Sequence, residues 1–287
     1  MTAYRCSTKP GREWPMNRQE MKAGQLALDR KHGASFLLRQ ALLILKDEAA
    51  ELPCGDWLDY LEQLTAMALR LQEIRPAMAA IKNGLQVFID GMAGLKAGSV
   101  PFEPVDSVAR LVESILHSLD LKFHDTVMNG AELIKPGDQI ISCSFSATVC
   151  SALIQASAAG RSFAALIVDE QSQAQGLKYG EMMASALQAG GVGCDLVAED
   201  RLDSIQGVSL GLVGADSVLS DGSLINGYPS LQLARTCFER QIPFYCLCES
   251  HKLASSYPPL PLEEGFDLIP ATYVTAVVTE KGIISFP

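Results

Sequence analysis

From Lys135-Pro136-Gly137-Asp138 onward the chain adopts a rhythm that leaves few folds open. Short apolar runs at Gln139–Cys143, Ala164–Val168, Cys194–Ala198, Leu210–Val213 and Pro243–Leu247 are separated by helical stretches at Ala147–Ala159, Leu177–Ala189 and Ser230–Arg240. Continuously apolar strands need cover on both faces, and helical crossovers supply it, so the alternation predicts a mostly parallel, doubly wound sheet. Tyr273 to Ile284 reads as one more strand, with a turn at Lys281-Gly282.

The first half of the chain has a different period. Ala34 to Leu45 and Trp57 to Leu71 place apolar residues on a helical repeat, and Arg75-Pro76 opens a third helix over Ala77 to Met92, where proline suits a first turn. Gly94 to Pro104 reads as a loop, and Val105 to Met128 as a long linking helix. The expected architecture is a loose leader over 1–23, a helical N-terminal domain over 24–128 and a Rossmann-like α/β domain over 129–287.

Composition narrows the function. Of 287 residues, 48% are hydrophobic and 20% charged, enough to bury a core in each half. A net charge of -10 argues against a nucleic-acid binder, which carries a basic face. No apolar run approaches the roughly 18 residues of a membrane span. The segment from Met1 to Met16 lacks the apolar centre of a secretory signal, so a cytoplasmic protein is expected. The eight cysteines then read as reduced thiols, mostly small core residues. No dinucleotide fingerprint, P-loop, nucleophile elbow or zinc-ligand spacing is present, so neither cofactor nor metal is expected.

Chemistry is expected at the carboxyl edge of the sheet, where open α/β sheets collect ligands. Leu210–Val213 runs into Gly214-Ala215-Asp216, which sets a carboxylate at that edge, and the turn at Asp221-Gly222 leads to Asn226 at the same rim. In Ser142-Cys143-Ser144-Phe145-Ser146 the first strand gives way to a helix. Ser144 or Ser146 either caps that helix or contributes to an anion site at its N-terminus. Lys252 follows the last parallel strand, Arg75 precedes a helix, and His32-Gly33-Ala34 offers small residues at a helix entrance.

Taken in order, these segments resemble the family of initiation factor 2B alpha, beta and delta subunits and the related ribose-1,5-bisphosphate and methylthioribose-1-phosphate isomerases. The resemblance runs from about His32 to Gly282, adding Asp169-Glu170 with Gly176 and Val274 through Gly282 to the segments above. It implies that Asp216 matches the isomerases' catalytic aspartate, and that Gly33, Ala34, Arg75, Ser146, Asn226 and Lys252 match binding positions. It also implies a homodimer formed through the α/β domain.

The departures are specific. With Ser146 aligned, the isomerases' catalytic cysteine falls on Ser144, while Cys143 stands one residue earlier and faces the other side of the strand. His32 replaces an arginine, Asn226-Gly227 replaces Asn-Lys, and Asp169-Glu170-Gln171-Ser172 replaces a segment containing a further arginine. Each lost charge-assisted hydrogen bond removes about 1.5–3 kcal/mol, which argues against a bisphosphate ligand. The resemblance thus favours a protein that binds a phosphorylated small molecule, a sugar phosphate or nucleotide, without isomerising it. Open alternatives are an aldose–ketose isomerase using Asp216 with Cys143 or a water, and a purely structural role.

Overall fold

The computed structural model describes residues 18–53, 55–97, 103–170, 178–254, 258 and 261–286, with side chains from Met21 onward. Five helices come first: α1 (Arg18–Leu28), α2 (Ala34–Glu51), α3 (Trp57–Gln72), α4 (Ala79–Ala97) and α5 (Pro104–Glu132). Their apolar stripes meet in one core, with Leu37, Leu38, Leu42 and Leu45 of α2 against Leu61, Leu64 and Leu71 of α3 and Ile81, Leu85 and Phe88 of α4. The N-terminal part of α5 packs there through Val108, Val112, Ile115 and Leu119. Its last turns leave that core, and Ala131 packs with Ile134 under the sheet. One helix therefore belongs to both halves.

The second half contains β1 (Gln139–Ser142), α6 (Ala147–Ala158), β2 (Ala164–Asp169), α7 (Tyr179–Ala189), β3 (Asp195–Ala198) and β4 (Leu210–Val213). It continues with β5 (Ser217–Val218), β6 (Leu224–Gly227), α8 (Ser230–Glu239), β7 (Phe244–Leu247), β8 (Phe266–Ile269), β9 (Ala276–Thr279) and β10 (Gly282–Ile284). The main sheet has the order β10-β9-β7-β4-β1-β2-β3 and is parallel except for the β9–β10 pair. Neighbouring residues on one strand serve opposite cores. Ile140 packs with α5, α6 and α7, whereas Ile141 packs on the side of α8.

Two features position the site. The chain winds outward from β1 through β2 and β3, then returns to place β4 on the other side of β1, with Ile140 opposite Leu210. The switch point between β1 and β4 is where such sheets open a crevice. A second, antiparallel sheet, β5-β6-β8, lies over one face of the first, and its Leu224, Val218 and Ile269 join the α8-side core.

Several sequence expectations change. Residues 18–23, assigned to the loose leader, are helical, and 1–17 lie outside the described residues. Pro76 sits in a turn before α4 rather than in its first turn, and α4 extends to Ala97 into the expected loop. Tyr273–Ile284 is not one strand. Its Lys281-Gly282 turn folds β10 back along β9, with Gly282 at φ +99. The antiparallel sheet was missed because β5 has two residues and β6 reads as a turn continuation.

The halves are joined by buried polar contacts. Ala79 N–H, at the start of α4, donates to Ser217 Oγ (2.8 Å), which donates to Ala77 O (2.7 Å). Asn83 Nδ2 donates to the carbonyls of His251 and Leu253, both at 2.9 Å. Replacing Ser217 by Ala strands two buried backbone groups and is expected to cost about 1–3 kcal/mol, read as a lower urea midpoint at constant slope. An unchanged midpoint would show that water substitutes for the hydroxyl.

Candidate functional site

The first wall of the site is made where β1 ends. Ser144 takes φ +58, a left-handed conformation uncommon outside glycine, and this turns the chain sharply before α6. The turn separates two adjacent side chains. Cys143 packs into the α8-side core with its Sγ 3.3 Å from Ser230 Oγ, while Ser144 faces a cavity. The second wall is the end of β4. At Gly214 a Cβ would lie 2.5 Å from Ser146 Oγ, so only glycine lets the two strand ends approach this closely. Asp216 follows, and its carboxylate accepts from Ala34 N–H of α2 (3.3 Å).

Between these walls lies a cavity of about 320 Å³. Three cations line it, Arg30, Lys31 and Arg75, and three acids, Asp216, Glu264 and Asp267. The rings of His32, Phe145, Tyr179, Tyr228 and Phe266 form much of the remaining wall. Arg75 is almost fully buried (2% exposed), pairs with Glu263 at 2.8 Å and lies 5.6 Å from the centre of the Phe266 ring. Its guanidinium also donates to Asp29 O. The His32 ring is held by Asp29 at 2.8 Å and stacks on Phe36 at 4.0 Å.

Burial sets the proton affinities. It raises the Asp216 carboxyl above its ordinary range, against the opposing pull of Lys252, Ala34 N–H and Arg75. A carboxyl of raised affinity is better placed to exchange protons near neutrality. Burial would lower the Lys252 ammonium, but Glu249, at 3.2 Å, and then Cys248 and Asp216 outweigh it, so Lys252 stays charged. The Cys143 thiol is pushed up by burial more than Ser230 lowers it. A thiol that stays protonated is neither nucleophile nor base.

The predicted residues therefore divide. His32, Gly33, Arg75, Ser144 and Asp216 line the cavity, and Ala34 reaches it through its N–H. Lys252 is buried and paired with Glu249, and it acts on Asp216 through charge. Ser146 caps α6, accepting from Val149 N–H (3.3 Å), so capping is its observed role. Asn226 does not reach the cavity; its amide donates to Ser230 Oγ (2.8 Å), and Gly227 occupies the rim instead. Cys143 is withdrawn as the partner of Asp216, because its side chain lies in the core. Arg30 and Lys31 were missed, although a basic pair directly before His32-Gly33 was a readable signal. They offset part of the cation deficit. Among the described residues no cluster of three or more His, Cys, Asp and Glu is placed to hold a metal, and no helix is long and apolar enough to cross a membrane.

Fold and cavity together define a helical domain joined to a doubly wound sheet, with a polar cavity at the sheet's switch point. The chain belongs to the Initiation factor 2 subunit family, whose pattern it matches over residues 30–259. It is 26% identical to an eIF-2B subunit 2-like protein of Pyrococcus furiosus, over 89% of this chain and 92% of that one. It is 25% identical to a ribose 1,5-bisphosphate isomerase of Haloferax volcanii, over 87% and 83% of the two chains. Among solved structures, the translation initiation factor eIF-2B of Pyrococcus horikoshii superposes with a TM-score of 0.77 at 24% identity, covering 94% of this chain and 97% of that one. The beta2-delta2 eIF2B complex of C. thermophilum gives 0.78 at 20% identity, covering 93% and 90%.

Beside Lys252 in the chain the structure buries His251, with no hydrogen-bond partner on either ring nitrogen among the described residues. Burial lowers His251 to about 4, with Glu249 and Glu280 opposing and Lys252 and Lys122 adding to the effect. The unfolded chain takes up this proton near pH 6.5 and the folded chain only near 4, so stability falls as pH drops through that window. The loss is on the order of 3 kcal/mol. Urea midpoints from pH 7 to 4.5 are expected to decline in the wild type and to flatten in His251→Asn. Equal slopes in the two proteins would remove His251 as the cause.

Proposed function

We propose that this member of the family binds a phosphorylated small molecule, a sugar phosphate or nucleotide, in the cavity between β1 and β4, and does not isomerise it. One observation carries the reading: Arg30, Lys31 and Arg75 converge on the cavity around Asp216, while the nearby thiol, Cys143, faces the core. The cations supply an anion site. Aldose–ketose isomerisation moves protons between neighbouring carbons and needs a second acid/base group beside Asp216. Ser144 is the adjacent side chain, and a hydroxyl requires a partner base to ionise.

A second reading, isomerisation of a sugar phosphate with Asp216 as acid/base and a water as its partner, is favoured by the raised proton affinity of Asp216. A thermal-shift panel of sugar phosphates and nucleoside monophosphates is expected to stabilise the protein, since the gain grows as RT ln(1 + [L]/Kd). NMR of each stabilising sugar phosphate is then expected to show no turnover. Turnover that disappears in Asp216→Asn would establish the isomerase reading, and no stabilisation by any compound would leave the cavity structural.

The protein is further proposed to act in the cytoplasm as a homodimer through its α/β domain. Leu231 and Phe238 of α8 and Leu268 of β8 are exposed on that domain, with the Phe238 ring tilted against Tyr273 at 5.0 Å between centres. Such an apolar surface is a candidate for association. Light scattering after gel filtration is expected to give twice the chain mass, and Phe238→Glu to reduce it to one. A monomeric wild type would end this proposal.

A further inference from the structure

Glu263 stands behind the cavity wall in contact with two of its three cations. Its carboxylate lies 2.8 Å from Arg75 Nε and 3.5 Å from Arg30 on its outer nitrogen. Both carboxylate oxygens are buried, so the ion pairs to Arg75 and Arg30 are shielded from water. Arg75 comes from the turn before α4, Arg30 from the connection between α1 and α2, and Glu263 from the segment before β8. One carboxylate thus binds three separate parts of the chain behind the anion site.

The charge count that follows is specific. Arg30, Lys31 and Arg75 bring three positive charges to the cavity, and Glu263 cancels one of them. Lys252, which acts on Asp216 through charge, is itself paired with Glu249. Asp216, Glu264 and Asp267 face the same space, so little unopposed positive charge is left for a ligand, and a single phosphate monoester already brings about -1.5 to -2 at neutral pH. A second phosphate would meet arginines already neutralised from behind, as well as the carboxylates of Glu264 and Asp267 on the lining.

We infer that Glu263 is a specificity-determining residue that restricts this cavity to ligands with one phosphate group, by neutralising the guanidinium charge a second phosphate would require. The inference rests on the phosphorylated-ligand reading above and goes beyond it in naming both the ligand's charge class and the residue that sets it. Glu264, one residue on, is the natural control. It lines the same cavity and forms no ion pair among the described residues.

The test is calorimetric titration of the full chain with ribose 5-phosphate and ribose 1,5-bisphosphate, in the wild type, Glu263→Gln and Glu264→Gln. The wild type is expected to bind the monophosphate more tightly than the bisphosphate. Glu263→Gln should tighten the bisphosphate by about ten- to a hundredfold, the worth of one charge-assisted hydrogen bond, and move the monophosphate far less. Glu264→Gln, which removes a lining charge without freeing either arginine, should tighten both ligands by similar, smaller factors. If Glu263→Gln weakens both ligands, the carboxylate serves to orient Arg75 and the inference fails. It fails equally if both variants tighten the bisphosphate alike, which would indicate general charge, or if the wild type already prefers the bisphosphate. In these cases binding itself survives, so the phosphorylated-ligand reading stands. Absence of binding by all three proteins overturns both. Should Glu263→Gln not fold, Glu263→Asp keeps the charge but withdraws it by one methylene, and a smaller gain for the bisphosphate is expected; no gain overturns the inference.

Discussion

The helical domain begins its second helix against a carboxylate supplied by the other half of the chain. Gly33 precedes α2 without a side chain to cap it, and the first N–H of the helix finds its acceptor in Asp216, 182 residues later. The partial positive charge at the helix start favours an anion there. This contact places the helical domain over the switch point of the sheet, and the cavity is the space left between them. Other helices that open at the same edge are satisfied in a similar way. Glu170 accepts from the first N–H groups of α7, Asp267 from Leu231 N–H of α8, and Ser146 from Val149 N–H of α6. Helix ends that elsewhere hold phosphates are here occupied by the protein's own oxygens. Attraction for an anion therefore falls to the side chains of Arg30, Lys31 and Arg75.

Those cations operate within an alternating series of charges running from Glu249 through Lys252, Asp216, Arg75 and Glu263 to Arg30. Each buried charge is tolerable because its neighbour has the opposite sign, and removal of any one would leave the next uncompensated. Glu249 is held at about 2, since Lys252, His251 and the Thr148 hydroxyl at 2.9 Å outweigh its burial. The series couples the site to the junction of the two domains, because its members come from both.

The parallel sheet was legible because its strands are apolar throughout and punctuated by helices, a pattern few other folds accept. The Gly-Ala-Asp motif was legible for a related reason, since it ends the strand that reverses the winding order. The antiparallel sheet was not, because Ser217–Val218 is too short to show a period and Leu224–Gly227 looks like the continuation of a turn. Of the residues read from their type, Asp216 and Arg75 line the cavity, whereas Asn226 and Cys143 do not, because a single turn of backbone decides which face receives the side chain. Alternation along β1 correctly set Cys143 and Ser144 on opposite sides, and the left-handed φ of Ser144 completes that separation. Arg30 and Lys31 lie just outside the segment that carries the resemblance, which begins at His32.

Gly227 faces Ser144 at the rim of the cavity. A Cβ at 227 would lie 2.5 Å from the Ser144 hydroxyl. A side chain there would require the Ser144 hydroxyl to rotate away. The glycine thus leaves the Ser144 hydroxyl free to face the cavity.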